Sequence, residues 1–273
     1  MIVDGPRVSS EWLALREPAD AAARARDLVD HLGRAPPATG RWVIHDLGCG
    51  TGAMSRWLAP LLPGPQHWVM HDRDADLLEV AATDPPGSAA DGAAVTVETR
   101  HSDIARLQAG DLAGASLITA SALLDMMTGD ELAGMVTVCA GAACSVLLTL
   151  SVVGRVSLTP VDPFDRRVTA AFNDHQRRAT ARGRLLGPDA VAFAGEEFGR
   201  LGAEVLVRGS PWQLGASQAD LIAEWLTGWV GAAREQQVEL AADTDGYTRR
   251  RLAQARAGQL AVTVDHADLL ALP

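Results

Sequence analysis

The chain has 273 residues, 48% of them hydrophobic, and a formal net charge of -10 at pH 7. That length and apolar content suit one large domain or a core with an appended subdomain, and the negative charge opposes a polyanionic partner, because nucleic-acid affinity comes largely from basic side chains displacing counterions. All 24 basic residues are arginine, which excludes a Walker-type phosphate loop and Schiff-base lysine chemistry.

The three cysteines, Cys49, Cys139 and Cys144, show neither CxxC nor Cys/His ligand spacing. Neither a disulfide framework nor a metal site is expected, and a reducing, cytoplasmic setting is the default. The N-terminal stretch lacks the pattern of a secretory signal, and no apolar run is long enough to span a bilayer, so no membrane partner is expected. The arginine and alanine bias also suggests a G+C-rich bacterial genome.

In chain order, residues 18–32 read as a helix with Pro18 in its first turn, Ala21, Ala25, Leu28 and Leu32 on one face, and Gly33 as the stop. A Pro-rich linker follows. From Trp42 onward short apolar runs alternate with helical stretches: WVIHDL, HWVMHD, AVTVETRH, SLITAS and SVLLTLSVV are strand candidates, with helices near 52–59, 75–82, 104–109 and 129–143. Such alternation predicts βαβ units and a mostly parallel sheet covered on both faces. Residues 167–183 and 188–202 look helical, 203–212 resembles a strand running into a loop, 216–258 is helix-prone, and 259–272 supplies a last strand. The expectation is an α/β Rossmann-like, doubly wound single domain: a helical arm over 1–40, a sheet core over 41–210 and 259–273, and a helical insertion over 211–258.

The first strand runs into "DLGCGTG", Asp46 to Gly52. A glycine-rich turn between a strand and a helix lets backbone N–H groups and the helix N-terminus approach a ligand. Asp72 closes the next strand, 20 residues after Gly52, where a carboxylate can accept ribose hydroxyls. Asp74 is available to cap the helix that follows. Asp103 ends the third strand. Asp46 suits a cationic ligand and would repel a pyrophosphate.

As a set, Asp46, the GCGTG turn, Asp72 and Asp103 resemble the class I S-adenosylmethionine-dependent methyltransferases over about residues 41–153. The resemblance implies that Asp46 and the backbone of Gly48, Cys49, Gly50 and Gly52 hold the methionine end of S-adenosylmethionine. It further implies that Asp72 holds the ribose, and that Arg73, Asp103 and Ile104 flank the adenine. The fourth-strand segment resembles the family's stretch beneath the methyl group, with Ser121 and Leu124 nearest the cofactor, and the last strand would be antiparallel. S-adenosylhomocysteine would be the product. No N-P-P-Y follows the fourth strand, "SALLDMM" standing there instead, which disfavours methylation of nucleic-acid amines.

On the acceptor side, His175 is the candidate general base, and Asn173 and Arg177 beside it are candidate substrate contacts. Asp125, Trp212 and Tyr247 are further substrate candidates, and Arg16 is placed to meet the methionine carboxylate. The expected activity is methyl transfer to an oxygen or nitrogen of a small-molecule metabolite, with a homodimer as the candidate assembly. Two alternatives stay open. One is a nicotinamide-dependent oxidoreductase, allowed by the register Gly48, Gly50, Ala53 but without any Tyr-x-x-x-Lys pair; the other is a non-methylating S-adenosylmethionine-binding protein.

Overall fold

A computed structural model describes residues 8–34 and 36–273. Two helices, α1 (Ser10–Ala23) and α2 (Arg26–Arg34), precede β1 (Trp42–Leu47), α3 (Ala53–Leu58), β2 (Gln66–Asp72), α4 (Ala75–Thr83), β3 (Val95–His101) and β4 (Leu117–Ser121). Then come α5 (Gly129–Gly141), β5 (Ser145–Thr159), α6 (Asp165–Gln176), the small hairpin β6 (Ala179–Thr180) and β7 (Gly183–Arg184), and α7 (Ala190–Arg200). The chain ends with β8 (Glu204–Gly209), β9 (Trp212–Leu214), α8 (Ala219–Gln236), α9 (Ala241–Arg256) and β10 (Ala261–Leu272).

The main sheet runs β3-β2-β1-β4-β5-β10-β8, with β9 also pairing β10. β1 to β5 are mutually parallel, and β10 is antiparallel to both of its long neighbours. The strand alternation divides the apolar side chains between two faces. On β5, Val146 and Leu148 pack with α5 and α7, while Leu147 points to the opposite face, where α2, α3 and α4 lie. On β10, Leu269 and Ala271 go to the first face and Leu270 to the second. Rossmann-like, doubly wound architecture follows directly from that sorting.

β5 and β10 continue beyond the sheet as a long antiparallel pair, and a third core gathers there: Leu158, Val262 and Val264 meet Val168 and Ala171 of α6, Ile222, Leu226 and Trp229 of α8, and Tyr247 of α9. The helical insertion therefore rests on α6 as well as on α8 and α9, and Trp212–Leu214 belongs to the sheet rather than to the insertion.

Three sequence expectations are corrected. The helix expected over 18–32 is two helices, and Pro18 lies in the interior of the first; Ser9, whose side chain accepts from the Trp12 N–H, starts α1 well before it. The helix expected at 104–109 is two short 3-10 turns, Ile104–Arg106 and Ala109–Leu112. The helix over 167–183 stops at Gln176, after which the chain turns back in the β6–β7 hairpin.

One buried carboxylate ties these parts together. β10 shifts register against β5 between Ala267 and Leu269, which leaves Leu150 without a ladder partner and at a φ of 57°. Asp268 fills the gap: its Oδ1 accepts from Leu150 N at 2.7 Å and from Ser210 Oγ at 2.5 Å, and its Oδ2 from Ala25 N at 2.8 Å. Replacing it by alanine leaves the buried Leu150 N–H unpaired, at a cost of about 1–3 kcal/mol, and also removes the partners of the part-buried Ala25 N–H and of the Ser210 hydroxyl. The Asp268→Ala variant is expected to lose about 3 kcal/mol or more of unfolding free energy, seen as a lowered urea midpoint at unchanged slope.

Candidate active site

At the carboxyl end of β1 the chain turns through Gly48, Gly50 and Gly52 at φ values of 67°, 53° and 84°. These are left-handed conformations that side chains strain to adopt. Cys49 N–H donates to His71 O and Gly52 N–H to Cys49 O, both at 2.9 Å. Gly50 N–H donates to Asp72 Oδ2 at 2.8 Å, and Asp74 N–H to Asp72 Oδ1 at 2.9 Å. Asp72 thus clamps the loop to β2, with a lone pair left on each oxygen. Asp74 accepts from Asp76 N and caps α4. Burial pushes the Cys49 thiol well up, so it stays protonated beside the loop.

Asp46 is buried, and its Oδ1 accepts from Thr119 Oγ1 at 2.7 Å while its Oδ2 has no partner. Burial pushes this carboxyl up to about 7, against the lowering effects of Thr119 and of the Arg24 guanidinium. Arg24, only 3% exposed, lies over the Trp57 ring and donates through Nη2 to Ser121 Oγ at 3.1 Å. Its Nε and Nη1 are buried without partners. Arg24 is absent from the sequence-level candidates. The signal was available: Leu13, Arg16, Glu17, Asp20 and Arg24 recur at helical spacing and mark one face of α1.

That face lies against the glycine loop and its neighbours. Leu13 Cδ1 would stand 3.1 Å from a Cβ added to Gly50, and Glu17 pairs with Arg56 of α3 at 2.6 Å. Arg16 holds Asp20 through two hydrogen bonds of 2.9 and 3.1 Å and sits 4.9 Å from the Trp212 ring centre. A cavity of about 820 Å³ lined by Leu15, Pro18, Ala22 and Leu214 lies behind the other face of α1, away from the orphaned charges.

The remaining cofactor candidates surround the same sheet edge. Asp103 Oδ1 caps Ala105 N at 3.1 Å, and Arg73, exposed, presents its carbonyl to His101 Nε2 at 2.8 Å. Ile104 and Leu123 both approach Gly48. Ser121 Oγ receives Thr149 Oγ1 at 3.0 Å as well as Arg24. Leu124 is buried in the core.

The acceptor candidates are not brought together. His175 Nε2 is 3.2 Å from Glu235 of α8, and burial lowers its pKa. Asn173 Nδ2 donates to Gly154 O at 2.8 Å, and Arg177 grips Asp189 at 2.6 and 2.8 Å. Trp212 is a core residue whose Nε1 donates to Asp20 Oδ1 at 2.9 Å, and Tyr247, buried in the insertion, donates to Asp165 Oδ1 at 2.7 Å. Asp125, in the turn Leu124–Met126, instead takes Gln176 Nε2 at 3.3 Å, and burial pushes its carboxyl up to about 6. Among the described residues no group of three or more His, Cys, Asp or Glu has the arrangement of a metal site, and no helix is long and apolar enough to cross a membrane.

No protein-family profile matches this chain, and no curated protein does. Solved structures do. A protein of Anaeromyxobacter dehalogenans assigned as a type II methyltransferase is 18% identical, with 91% of this chain and 97% of that chain covered at a TM-score of 0.50. An S-adenosylmethionine-dependent methyltransferase of Geobacter sulfurreducens, solved with S-adenosyl-L-homocysteine, is 16% identical over 100% of both chains at a TM-score of 0.44. The magnesium protoporphyrin IX methyltransferase of Synechocystis, also with the bound homocysteine product, is 16% identical over 77% of this chain and 84% of that chain, with a TM-score of 0.46. The fold is the Rossmann-like fold of class I methyltransferases, with its antiparallel strand supplied by β10.

His45 and His71 lie stacked beneath the loop, Nδ1 of the first 3.0 Å from Nε2 of the second, and burial holds both near a pKa of about 4. Both rings are therefore neutral at pH 7, and one ring N–H donates to the unprotonated nitrogen of the other. Between the unfolded value near 6.5 and the folded value near 4, the unfolded chain binds protons that the folded chain refuses, so this pair lowers stability as pH falls through that window. The raised Asp46 works the other way. A His45→Gln, His71→Gln double variant keeps the Asp46 contribution and loses that of the histidines; from pH 7 to 4.5 its denaturant midpoint is expected to drop less than that of the unaltered protein.

Proposed function

We propose that the protein transfers a methyl group from S-adenosylmethionine to an oxygen or nitrogen of a small-molecule metabolite, leaving S-adenosylhomocysteine. The observation that carries this reading is a pair of buried ionisable groups of opposite type beside the glycine loop, each with orphaned hydrogen-bonding atoms: Arg24 with two unpartnered buried nitrogens, and Asp46 with one unpartnered buried oxygen. A buried polar atom left without a hydrogen-bond partner is unfavourable. The end of an amino acid, carboxylate and ammonium on one carbon, satisfies both groups at once, whereas a pyrophosphate would meet Asp46 with repulsion.

In this reading Arg24 takes the carboxylate, the role first read for Arg16, whose guanidinium is already spent on Asp20. Asp46 takes the ammonium, and the remaining lone pairs of Asp72 take the ribose hydroxyls. Arg73, Asp103 and Ile104 border the adenine, and Ser121 holds Arg24 in place. Bound S-adenosylmethionine supplies an electrophilic methyl on a sulfonium. The chain itself has to align an acceptor lone pair with that methyl and exclude water, since an in-line displacement draws much of its rate from positioning. The insertion built by α6, α8 and α9 would enclose the acceptor, and the setting inferred from the cysteines is cytoplasmic.

Titration calorimetry with S-adenosylhomocysteine tests this. Saturable binding is expected, weakened about tenfold to a hundredfold in Arg24→Met and in Asp72→Ala, the loss of a charge-assisted hydrogen bond. Because burial holds the free Asp46 carboxyl near 7, and a ligand ammonium lowers it, binding at pH 7 should release about half a proton. Buffers of different ionisation enthalpy would report that release, and Asp46→Asn should abolish it. Absence of binding by both S-adenosylmethionine and S-adenosylhomocysteine would overturn the reading.

A further inference from the structure

Beyond the cofactor, the sheet edge holds one more buried polar atom without a partner, beside a carboxylate on the acceptor side. Asp125 sits in the turn that follows β4, two residues after Leu123, whose methyl groups lie against Gly48 of the loop. Gln176, the last residue of α6 and only 8% exposed, reaches it with Nε2 at 3.3 Å. A carboxylate only accepts, so the amide must turn its NH2 group toward Asp125. Gln176 Oε1 is thereby left as a buried acceptor without a donor. The loop at Gly187 packs on the backbone of Gln176 and keeps this residue in place, a Cβ there meeting Gln176 Cβ at 3.0 Å.

We propose that Asp125 and Gln176 form the binding site for the nucleophile of the acceptor, and that this nucleophile is a primary amine. The inference rests on the methyl-transfer reading above and decides its open choice between oxygen and nitrogen. Gln176 Oε1 lacks a donor, and the Asp125 carboxylate, which accepts from Gln176 Nε2, keeps lone pairs free beside it. A hydroxyl has a single O–H and can engage only one of these two acceptor groups; an amino group has two N–H bonds and can engage both at once.

The electrostatics agree. Arg16 and Arg178 are the cations that face Asp125, but Arg16 is neutralised by Asp20, and Arg178 gives one N–H to His175 O at 3.0 Å. Asp125 remains able to stabilise the positive charge that develops on nitrogen. In the transfer, the nitrogen lone pair forms the new N–C bond as the carbon–sulfur bond breaks and its electrons return to sulfur. The proton the nitrogen then sheds passes to Asp125 and on to solvent. Asp125 is in this sense a catalytic residue, whereas Gln176 orients the amine.

The test incubates the full-length protein with S-adenosylmethionine labelled in its methyl group and a metabolite extract, and separates the products on a cation exchanger before and after mild alkali. The expected product is a base-stable cation carrying the label, an N-methylamine. Label in a neutral ether or in an alkali-labile ester overturns the proposal, and so does no transfer at all by a protein that binds S-adenosylhomocysteine. Failure to bind that ligand would instead bring down the cofactor reading. With the labelled amine in hand, Asp125→Asn should lower kcat by about a hundredfold or more, and Gln176→Met should raise KM for the amine about tenfold. Asp125→Glu should recover part of the rate. All three variants should bind S-adenosylhomocysteine within about threefold of the unaltered protein; a loss of that affinity, or of the unfolding midpoint, parallel to the loss of rate would mean a structural role and overturn the assignment.

Discussion

A guanidinium buried at the carboxyl edge of the sheet is the constraint around which the surrounding elements are arranged. Removing such a charge from water costs several kcal/mol even after relaxation, and the nearby carboxylates of Asp20, Asp268 and Asp46 offset only part of this, so burial still lowers the Arg24 pKa. Those carboxylates come from α1, β10 and β1. Asp268 in turn is where it is because β10 slips register against β5, freeing Leu150 N–H for it. The same carboxylate accepts from Ala25, the residue next to Arg24, and so fixes the junction between α1 and α2. A bulge in the antiparallel strand thus determines, through one carboxylate, where a positive charge stands beside the glycine loop.

The parts of this arrangement that were legible in the sequence are the ones written in short range. The loop, Asp46 before it, and Asp72 at the end of β2 are all set by a strand-turn-helix unit and the next strand, and the structure builds these elements at the expected positions. The antiparallel last strand could be anticipated as a strand, but not its bulge, which depends on what faces it. Pro18 was the misleading residue. Placed in a first turn it shortens α1 and cuts off the turn that carries Leu13, Arg16 and Glu17; with Ser9 as the cap these residues and Asp20 share one face of α1, which ends at the Arg24 cap.

The acceptor residues were hidden for a different reason. Asn173, His175 and Arg177 are spaced by two, and on a helix residues two apart do not face the same way. Their partners confirm the divergence: Asn173 turns to β5, His175 to α8, and Arg177 to the loop before α7. Gln176, three residues after Asn173, shares its side of α6, and it reaches the turn after β4. Its neutral amide and its neighbours in sequence gave no hint of that contact, which exists only because the chain reverses at the β6–β7 hairpin and Gly187 closes on it.

Cofactor side and acceptor side are joined physically by α1. Leu13 lies on Gly50, Glu17 on Arg56 of α3, and Asp20 on Trp212 of β9, so a single helical face spans from the glycine loop to the strand that leads into the insertion. Arg16, on that face, stands between Trp212 and Asp125 and is held by Asp20. The Glu17–Arg56 ion pair is partly buried and so screened less than a surface pair, and the Trp212–Asp20 hydrogen bond is buried, so α1 is held both to the glycine-loop side and to β9. A displacement of α1 at one half therefore disturbs contacts at the other. In the proposed site, the contacts read for cofactor and for acceptor, although they come from separate stretches of sequence, share one helix as a common wall.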